Sequence, residues 1–161
     1  MSKRQVNRIG DIYCVEIDNE YKCYFQYVAK DATMLGGKVI RVFKTHYSMD
    51  YVPNMDEIVK DDIFYYTHTM VKIGVELGAW YKVGSHRDKG ETENIMFKLY
   101  NEVAPLPDKS SRWDVWKINE PMRRIGEMTD ECRGYYMGWL YSYLDVLSMI
   151  RDGRHRHKDI Q

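Results

Sequence analysis

The chain has 161 residues, enough for one domain with a substantial core. Its 24 lysines and arginines balance its 24 aspartates and glutamates, so the formal net charge is zero. This balance argues against nucleic acid as a partner, because phosphate contacts usually require a basic excess. No apolar run approaches the roughly 20 residues of a membrane helix, so the sequence predicts no membrane partner.

The cysteines and the N-terminal residues indicate the cellular compartment in which the protein is expected. Residues 1–10 are basic, but no apolar core of a signal peptide follows them. Cys14, Cys23 and Cys132 are odd in number and lack C-x-x-C spacing, which is typical of a reducing environment. We therefore expect a cytoplasmic protein without disulfides.

Residues 8–28 predict a β-hairpin on which the rest of the chain is organised. A two-residue turn would split the apolar face of this hairpin, whereas a three-residue turn places Ile17 opposite Tyr21 and keeps the face whole. We predict the three-residue turn, with Cys14 and Cys23 on opposite faces. The predicted apolar face consists of Tyr13, Val15, Ile17, Tyr21, Cys23, Phe25 and Tyr27.

The following segments predict further strands and one short helix. Residues 38–44 alternate in the manner of a third strand. Asn54 is placed to cap a helical turn over residues 55–60. Residues 63–75 form a long β-prone run, and with residues 78–83 they predict a second hairpin.

The C-terminal half is punctuated by proline and glycine. For residues 93–102 the sequence does not decide between a helix and a strand, because Phe97 interrupts an otherwise helical spacing of apolar residues. Residues 113–118 predict one more strand. Residues 119–126 predict a short helix that has proline early in it and ends at Gly126.

Residues 138–151 predict the best helix of the chain, ended by Gly153. The basic ending, residues 154–161, is expected to be frayed. The whole chain, residues 1–161, is then one α+β domain: a strongly twisted antiparallel sheet or a partly open SH3-like barrel with a C-terminal amphipathic helix. The apolar stripe predicted for this helix is Leu140, Tyr143, Leu144, Leu147 and Ile150.

No catalytic, metal or cofactor site is predicted. His155 and His157 form an H-x-H pair in a charged ending, whereas a structural zinc site requires four converging ligands. Glycine-rich phosphate loops and the G-x-S-x-G motif of hydrolases do not occur. Among enzymatic interpretations, only a triad assembled from distant residues stays open.

Carboxylates are concentrated between residues 50 and 62, where Lys60 is the single basic residue. One interpretation is a solvated loop and helix start, since acidic residues favour helix N-termini. The other is an electrostatic surface that meets a basic partner and speeds association. We call these residues the acidic strip and take the last four as candidates for partner binding: Asp50, Asp56, Glu57, Asp61 and Asp62.

The tryptophans fall into two groups. Trp113 and Trp116 lie three residues apart in a predicted strand, so they should face opposite sides with one exposed. Both are candidates for partner binding, because exposed aromatic residues often anchor interfaces. Trp80 lies between Gly78 and Gly84 and is predicted to be a core residue where glycine permits close approach of the backbone.

The segment GDIYCVEIDNEYKCYFQYV, together with the later GAWYKVG, resembles the immunity proteins of bacterial polymorphic-toxin systems, specifically immunity family twenty-six. Members of that family open with a G-D-I-[FY] strand, a polar turn and an aromatic-rich return strand. The family is described as an α+β fold marked by glycine and tryptophan. The residues that carry the resemblance are Gly10, Asp11, Ile12, Tyr13 and Trp80.

The resemblance implies a non-catalytic protein that binds and neutralises a cognate toxin domain. Inhibition would come from occluding the active site of the toxin or blocking a motion that it needs, without a cofactor. Self-association is left open. The alternative is a small SH3-like-barrel protein that binds nucleic acid, since similar openings begin such barrels; the zero net charge counts against it.

Overall fold

The computed structural model describes residues 6–34, 37–101 and 109–155. The last residues of the predicted frayed ending, 156–161, therefore lie outside the described residues, and His157 is among them. The strands are β1 (Asp11–Ile17), β2 (Tyr21–Lys30), β3 (Lys38–Phe43), β4 (Ile63–Thr69), β5 (Tyr81–Ser85), β6 (Met96–Tyr100), β7 (Trp113–Lys117), β8 (Arg123–Gly126), β9 (Tyr136–Met137) and β10 (Leu140–Tyr141), and the helices are α1 (Met55–Ile58), α2 (Val71–Glu76) and α3 (Tyr143–Asp152).

The strands form two sheets. The larger has the order β10-β4-β3-β2-β1-β5 and the smaller the order β8-β7-β6-β9. Pairing is antiparallel except at β10–β4 and β6–β9, which are parallel. The predicted α+β class with a C-terminal helix is confirmed, as twisted mixed sheets that do not close into a barrel within the described residues. In this part of the chain, no helix is long and apolar enough to cross a membrane.

The predicted register of the first hairpin is confirmed. Ile17 pairs with Tyr21 across a three-residue turn, and the register continues along both strands. Asp18 and Asn19 have φ of 52° and 56°, the left-handed conformation that short polar side chains tolerate best. Cys14 is not opposite Cys23, and all three cysteines are free and buried.

The hairpin is buried on both of its faces. Its odd-numbered residues pack in the main core against α3 and Trp80, as predicted. On the even-numbered face, Ile12, Cys14 and Tyr24 are also buried, because the chain around α1 covers them, whereas Glu16 is exposed. Farther along the same face, the smaller sheet covers Val28. Both faces of the hairpin therefore contribute to the interior of the molecule.

The second predicted hairpin is wrong. The β-prone run ends at Thr69 and continues as α2, and β5 pairs with β1 instead of β4. The helix places the carbonyl of Val71 where it accepts a hydrogen bond of 3.0 Å from the indole of Trp80. It also turns Gly74 toward the same ring, which a Cβ at that position would overlap. Packing on Trp80 thus overrides the local preference for a strand.

The predicted helix over residues 119–126 is also wrong. Asn119 adopts a φ of 68°, and the chain reverses through a turn closed by a hydrogen bond of 2.8 Å from Glu120 N to the Lys117 carbonyl. The reversal brings residues 123–126 back alongside β7, where they pair as β8. A hairpin at the edge of a sheet forms more backbone hydrogen bonds than one isolated helical turn does.

The C-terminal helix is shorter than predicted. Ser142 caps its start in a capping box with Asp145, and Gly153 ends it with a φ of 67°, as predicted. Leu140 belongs to β10 instead, and Leu144 is 61% exposed. The apolar stripe is therefore rotated from the predicted one, and its buried residues are Val146, Met149 and Ile150.

Candidate partner-binding surface

The acidic strip lies on a loop, residues 44–62, whose two ends are tied together. The amide of Lys44 donates to the carbonyl of Asp62 over 2.9 Å. The carboxylate of Asp61 accepts from the amide of Thr45 over 2.7 Å and from its hydroxyl over 2.8 Å. The loop is closed where it leaves and rejoins the sheet.

The middle of this loop is fixed to the hairpin. Tyr47 and Lys22 exchange two backbone hydrogen bonds of 2.8 Å, which attach the loop to β2. Ile58 and Val59 are buried against β1 and β2. A segment held at its ends, at its middle and by apolar anchors loses little conformational entropy when a partner binds.

Helix α1 presents two of the candidate carboxylates, Asp56 and Glu57, in its first turn. Asn54 caps the helix as predicted, with its side chain accepting from the amide of Glu57. Gly84 in β5 makes room for the helix, because a Cβ there would lie 2.8 Å from the sulfur of Met55. The last glycine of the GAWYKVG segment thus leaves space for the Met55 side chain.

A histidine links Asp56 to the first residues of the hairpin, Gly10, Asp11, Ile12 and Tyr13, which we call the opening motif. His86 Nδ1 accepts from the amide of Asp88 over 3.0 Å, which leaves the ring proton on Nε2. Nε2 then donates to the carboxylate of Asp56 over 2.8 Å. The amide of His86 in turn donates to the carbonyl of Gly10 over 3.0 Å. The acidic strip is therefore oriented by the residue that begins the hairpin.

The four residues of the opening motif have structural roles that explain their types. Gly10 adopts a φ of 103°, and a Cβ there would lie 3.0 Å from the carbonyl oxygen of His86. Asp11 accepts from the amide of Arg8 and forms an ion pair of 3.0 Å with Lys82 of β5. These contacts fix the start of β1 between the loop at residue 86 and the sheet edge.

The other two motif residues point to opposite faces. Ile12 packs beneath the chain around α1, and Tyr13 stacks on Phe25 in the main core with ring centroids 5.1 Å apart. The hydroxyl of Tyr13 donates to Asn7 over 2.8 Å. Burial raises the pKa of Tyr13, so it stays neutral. The motif is a scaffold for the acidic strip.

Aromatic side chains flank the carboxylates. Tyr47 and Tyr51 stack with ring centroids 4.1 Å apart, and both are half-buried. The hydroxyl of Tyr51 donates to the carboxylate of Glu57 over 3.0 Å. Val52, 80% exposed, follows directly. Tyrosine is enriched in protein interfaces, and their rims are polar.

The carboxylates of the acidic strip differ in their surroundings. Asp56, Glu57 and Asp62 are exposed, whereas Asp61 is partly buried and bonded to Thr45. A hydrogen bond from the Ser48 hydroxyl lowers the pKa of Asp50. Between residues 50 and 62, five carboxylates against one lysine give the acidic strip a negative surface at neutral pH, in a chain whose formal charge is zero overall.

The two candidate tryptophans are not at the surface. Trp113 and Trp116 do face opposite sides of β7, but both are buried, at 0% and 2% exposure, so the predicted exposed tryptophan is wrong. The main core covers one face of β7, and a smaller cluster with Phe97 covers the other. Trp80 is buried as predicted, and the glycine that accommodates it is Gly74.

Sequence reasoning missed a buried polar network around Asp31, which follows β2. Its carboxylate lies 2.8 Å from His68 Nε2 and accepts from the indole of Trp116 over 2.9 Å. The side chains of His68 and Asp31 are fully buried, so they cannot touch a partner or a substrate in this conformation. Within the three described ranges, no group of three or more histidine, cysteine or acidic residues is placed to hold a metal ion.

Sequence reasoning also missed Tyr47, Tyr51 and His86 as parts of the surface. Tyr47 and Tyr51 are close to the acidic strip in sequence, which is the one signal that could have indicated them. His86 is distant from the strip in sequence and gives no such signal. What connects them is the path of the loop over β1 and β2, which depends on long-range packing.

A comparison with protein families matches residues 8–110 to the family described as Immunity protein 26. The match covers nearly two thirds of the chain. It extends beyond the GAWYKVG segment and includes the opening motif, Trp80 and the whole acidic strip, while Trp113, Trp116 and α3 follow it. No curated protein and no solved structure matches the chain.

Proposed function

Because this chain belongs to the immunity protein 26 family, we propose that it binds a cognate bacterial toxin domain and neutralises it without catalysis. The protein would act in the cytoplasm of the cell that produces the toxin, by occluding the active site or by blocking a required motion. The observation that carries this proposal is the family match across residues 8–110.

We propose the acidic strip as the surface that meets the toxin. It lies inside the matched region and is held in place by the closed loop, by the buried residues of α1 and by His86. Preorganisation of this kind lowers the entropy cost of forming a complex. Its negative charge would attract a basic toxin surface and raise the association rate.

Tyr47, Tyr51 and Val52 would supply the apolar anchors. A stable complex buries about 1,600 Å² in total, so the interface would extend from the strip onto neighbouring surface. Trp113 and Trp116 enter this proposal only as supports of the smaller sheet, because both are buried.

The test combines a growth assay with binding kinetics. The full chain is produced beside the toxin domain encoded by the neighbouring gene, and association of the purified proteins is measured at several salt concentrations. Wild-type protein should restore growth and bind. Reversing the exposed carboxylates Asp56, Glu57 and Asp62 to lysine should slow association by about 10-fold or more at low salt and flatten its salt dependence.

A matched control carries the same charge change elsewhere. Glu93, Glu127 and Glu131 are exposed and lie outside the strip, so reversing them to lysine should alter association far less. An association rate that is unchanged in the strip variant would remove the acidic strip from the interface. If the wild-type protein neither protects cells nor binds the toxin at micromolar concentration, the immunity function itself is wrong.

A further inference from the structure

A cavity lined mainly by tyrosine lies where the two sheets meet. It has a volume of about 320 Å³ and is bordered by β4, by the start of β6 and by the residues before and within β9. This volume falls in the range of small-molecule sites, which begins near 300 Å³. We call it the tyrosine pocket, and Tyr66, Tyr135, Tyr136, Glu91 and Met96 are among its lining residues.

Two of the tyrosines form a corner of the pocket. The rings of Tyr66 and Tyr136 meet edge to face, with centroids 5.2 Å apart and an interplanar angle of 69°. Tyr135 is half-buried and lines the same pocket. Burial raises the pKa of Tyr66 and of Tyr136, so both rings stay neutral at physiological pH. Because the face of a neutral aromatic ring attracts cations, these walls suit a positively charged ligand.

Glu91 is the one charged side chain among the described lining residues. Its Oε1 accepts from the amides of Asn94 and Glu93 over 2.8 and 2.7 Å, so the carboxylate is held in place although it is exposed. These two hydrogen bonds lower the pKa of Glu91, which is therefore ionised at neutral pH. A fixed carboxylate beside aromatic rings complements a bound cation.

Other charges near the pocket are of both signs. Arg41 pairs with Tyr66 in the register of β3 and β4, and its charge opposes a bound cation. Its guanidinium is not part of the lining, since Arg41 is buried and lies against Gly90, where a Cβ would overlap it. Beside the third tyrosine, Glu131 and Arg123 carry opposite charges. Attraction therefore comes from the rings and from the lining carboxylate, and we expect millimolar affinity.

The lining favours a trimethylammonium group over a primary ammonium ion. A primary ammonium carries three N–H donors that need acceptors, whereas a trimethylammonium group carries none. The acceptors are few, because Glu91 is the one carboxylate of the lining and its Oε1 is already engaged by two amides. Ile95 and Met96 add apolar surface that suits methyl groups. Aromatic rings with a nearby carboxylate are the usual protein environment of quaternary ammonium ions.

We propose that the tyrosine pocket binds a trimethylammonium compound of the size of choline. The cation would lie against the rings of Tyr66, Tyr135 and Tyr136, with Glu91 as its counter-ion. No lining residue belongs to the acidic strip, so this site does not depend on the proposed toxin interface. The same group occurs in free small molecules and in lipid headgroups, and the experiment separates these two sources.

The experiment is an NMR titration of the full chain with choline and with its neutral analogue, the alcohol that carries a tert-butyl group in place of trimethylammonium. Choline should bind saturably and shift the signals of the lining residues. The analogue has the same shape without the charge, so it should bind at least about fivefold more weakly. Absence of saturable choline binding at tens of millimolar would overturn the proposal, as would equal affinity for the analogue or shifts confined elsewhere.

Vesicles of phosphatidylcholine provide the second arm of the experiment. Co-sedimentation of the protein with vesicles that is lost in Glu91→Gln would support the pocket with a lipid headgroup as its source of trimethylammonium. A protein that binds choline but stays in solution beside the vesicles would support the pocket with a free small molecule as its ligand.

Two variants and one control locate the site. Glu91→Gln keeps an oxygen for the amides of Glu93 and Asn94 but removes the charge, so it should weaken choline severalfold and leave the analogue unchanged. Tyr135→Leu, which removes one ring, should weaken choline about threefold or more. Glu93→Gln removes the same charge from an exposed residue outside the lining and should bind choline as wild type does. An equal loss in Glu91→Gln and Glu93→Gln would indicate non-specific attraction and overturn the proposal.

Discussion

His68 and Asp31 are 37 residues apart in the chain, yet Nε2 of the histidine lies 2.8 Å from the carboxylate of the aspartate in the interior. The same carboxylate accepts from the indole of Trp116 and from the amide of Asn119, each over 2.9 Å. Asp31 and His68 belong to the side of the larger sheet, and Trp116 belongs to the smaller sheet. One buried carboxylate thus connects the two sheets.

This connection predicts a dependence of stability on pH. Burial raises the pKa of Asp31, but hydrogen bonds from His68, Trp116, Asn119 and Thr33 outweigh it and lower the pKa from 3.8 to about 2. The folded state therefore favours the ionised form. Its contribution, about 2 kcal/mol, is fully present above pH 4 or so and is lost as the pH falls from about 4 to about 2.

The measurement is urea unfolding of wild-type protein and of Asp31→Asn across this range. The variant should be less stable at pH 6, and the difference should shrink by about 2 kcal/mol toward pH 2. Asp62→Asn, at an exposed carboxylate, serves as the control and should follow the wild-type curve. A difference between wild type and Asp31→Asn that stays constant with pH would contradict the lowered pKa.

Contact between Gly74 and Trp80 predicts a steric effect. A Cβ at position 74 would overlap the indole ring, which is buried and anchored by its hydrogen bond to Val71. Gly74→Ala should therefore destabilise the protein by about 1–3 kcal/mol and change the fluorescence of the tryptophan. In contrast, a Cβ at Gly134 would meet no atom within 4 Å, so Gly134→Ala should be nearly neutral in the same assay. Equal stability of the two variants would refute this packing.

The first hairpin could be predicted in detail because its signal is local. The alternation of apolar residues, together with the polar turn at Asp18 and Asn19, is sufficient to fix the pairing of Ile17 with Tyr21. Residues 71–76 could not be predicted in the same way, since their helical state depends on Trp80 and on space at Gly74. The parallel pairs formed by β9 and β10 involve only two residues each, too few for any periodic pattern.

As a partner-binding surface the acidic strip stays a prediction, and the sequence indicates only some of the residues proposed for it. Charge clustering alone identified Asp56, Glu57, Asp61 and Asp62, because these residues are close in sequence. The burial of both Trp113 and Trp116 could not be predicted, because strand alternation places them on opposite faces of β7 but does not show that both faces are covered. The links of the surface to the opening motif, through His86 and Gly84, require three-dimensional packing that no local spacing reveals.

The cysteines provide a test of the predicted register and of the core. Burial raises the pKa of the Cys23 thiol to about 12, and burial also raises that of Cys14. At pH 8 almost no reactive thiolate is present at either site, so a thiol reagent should label both slowly in the native protein. All three cysteines, Cys132 included, should react rapidly in urea. Rapid labelling of Cys14 or Cys23 without denaturant would contradict their burial in the hairpin.

Substitutions at two neighbouring carboxylates of the acidic strip can distinguish an effect on protein stability from an effect on the rate of toxin association. Asp61 accepts hydrogen bonds from the amide and the hydroxyl of Thr45, whereas the exposed side chain of Asp62 accepts none within the described residues. Asp61→Ala should lower the free energy of unfolding by about 1 kcal/mol, because it removes the hydrogen bonds that the carboxylate accepts from Thr45. Asp62→Ala should stay within about 0.5 kcal/mol of wild type.

Both substitutions remove one negative charge from the same loop, so both should slow toxin association to a similar, salt-dependent extent. Urea unfolding and association kinetics on the same two variants give the comparison. If Asp62→Ala destabilises the fold as much as Asp61→Ala does, the hydrogen bonds to Thr45 are not what closes the loop. If only Asp61→Ala slows association, the strip acts through its shape and not through its charge, and long-range attraction has no part in toxin binding.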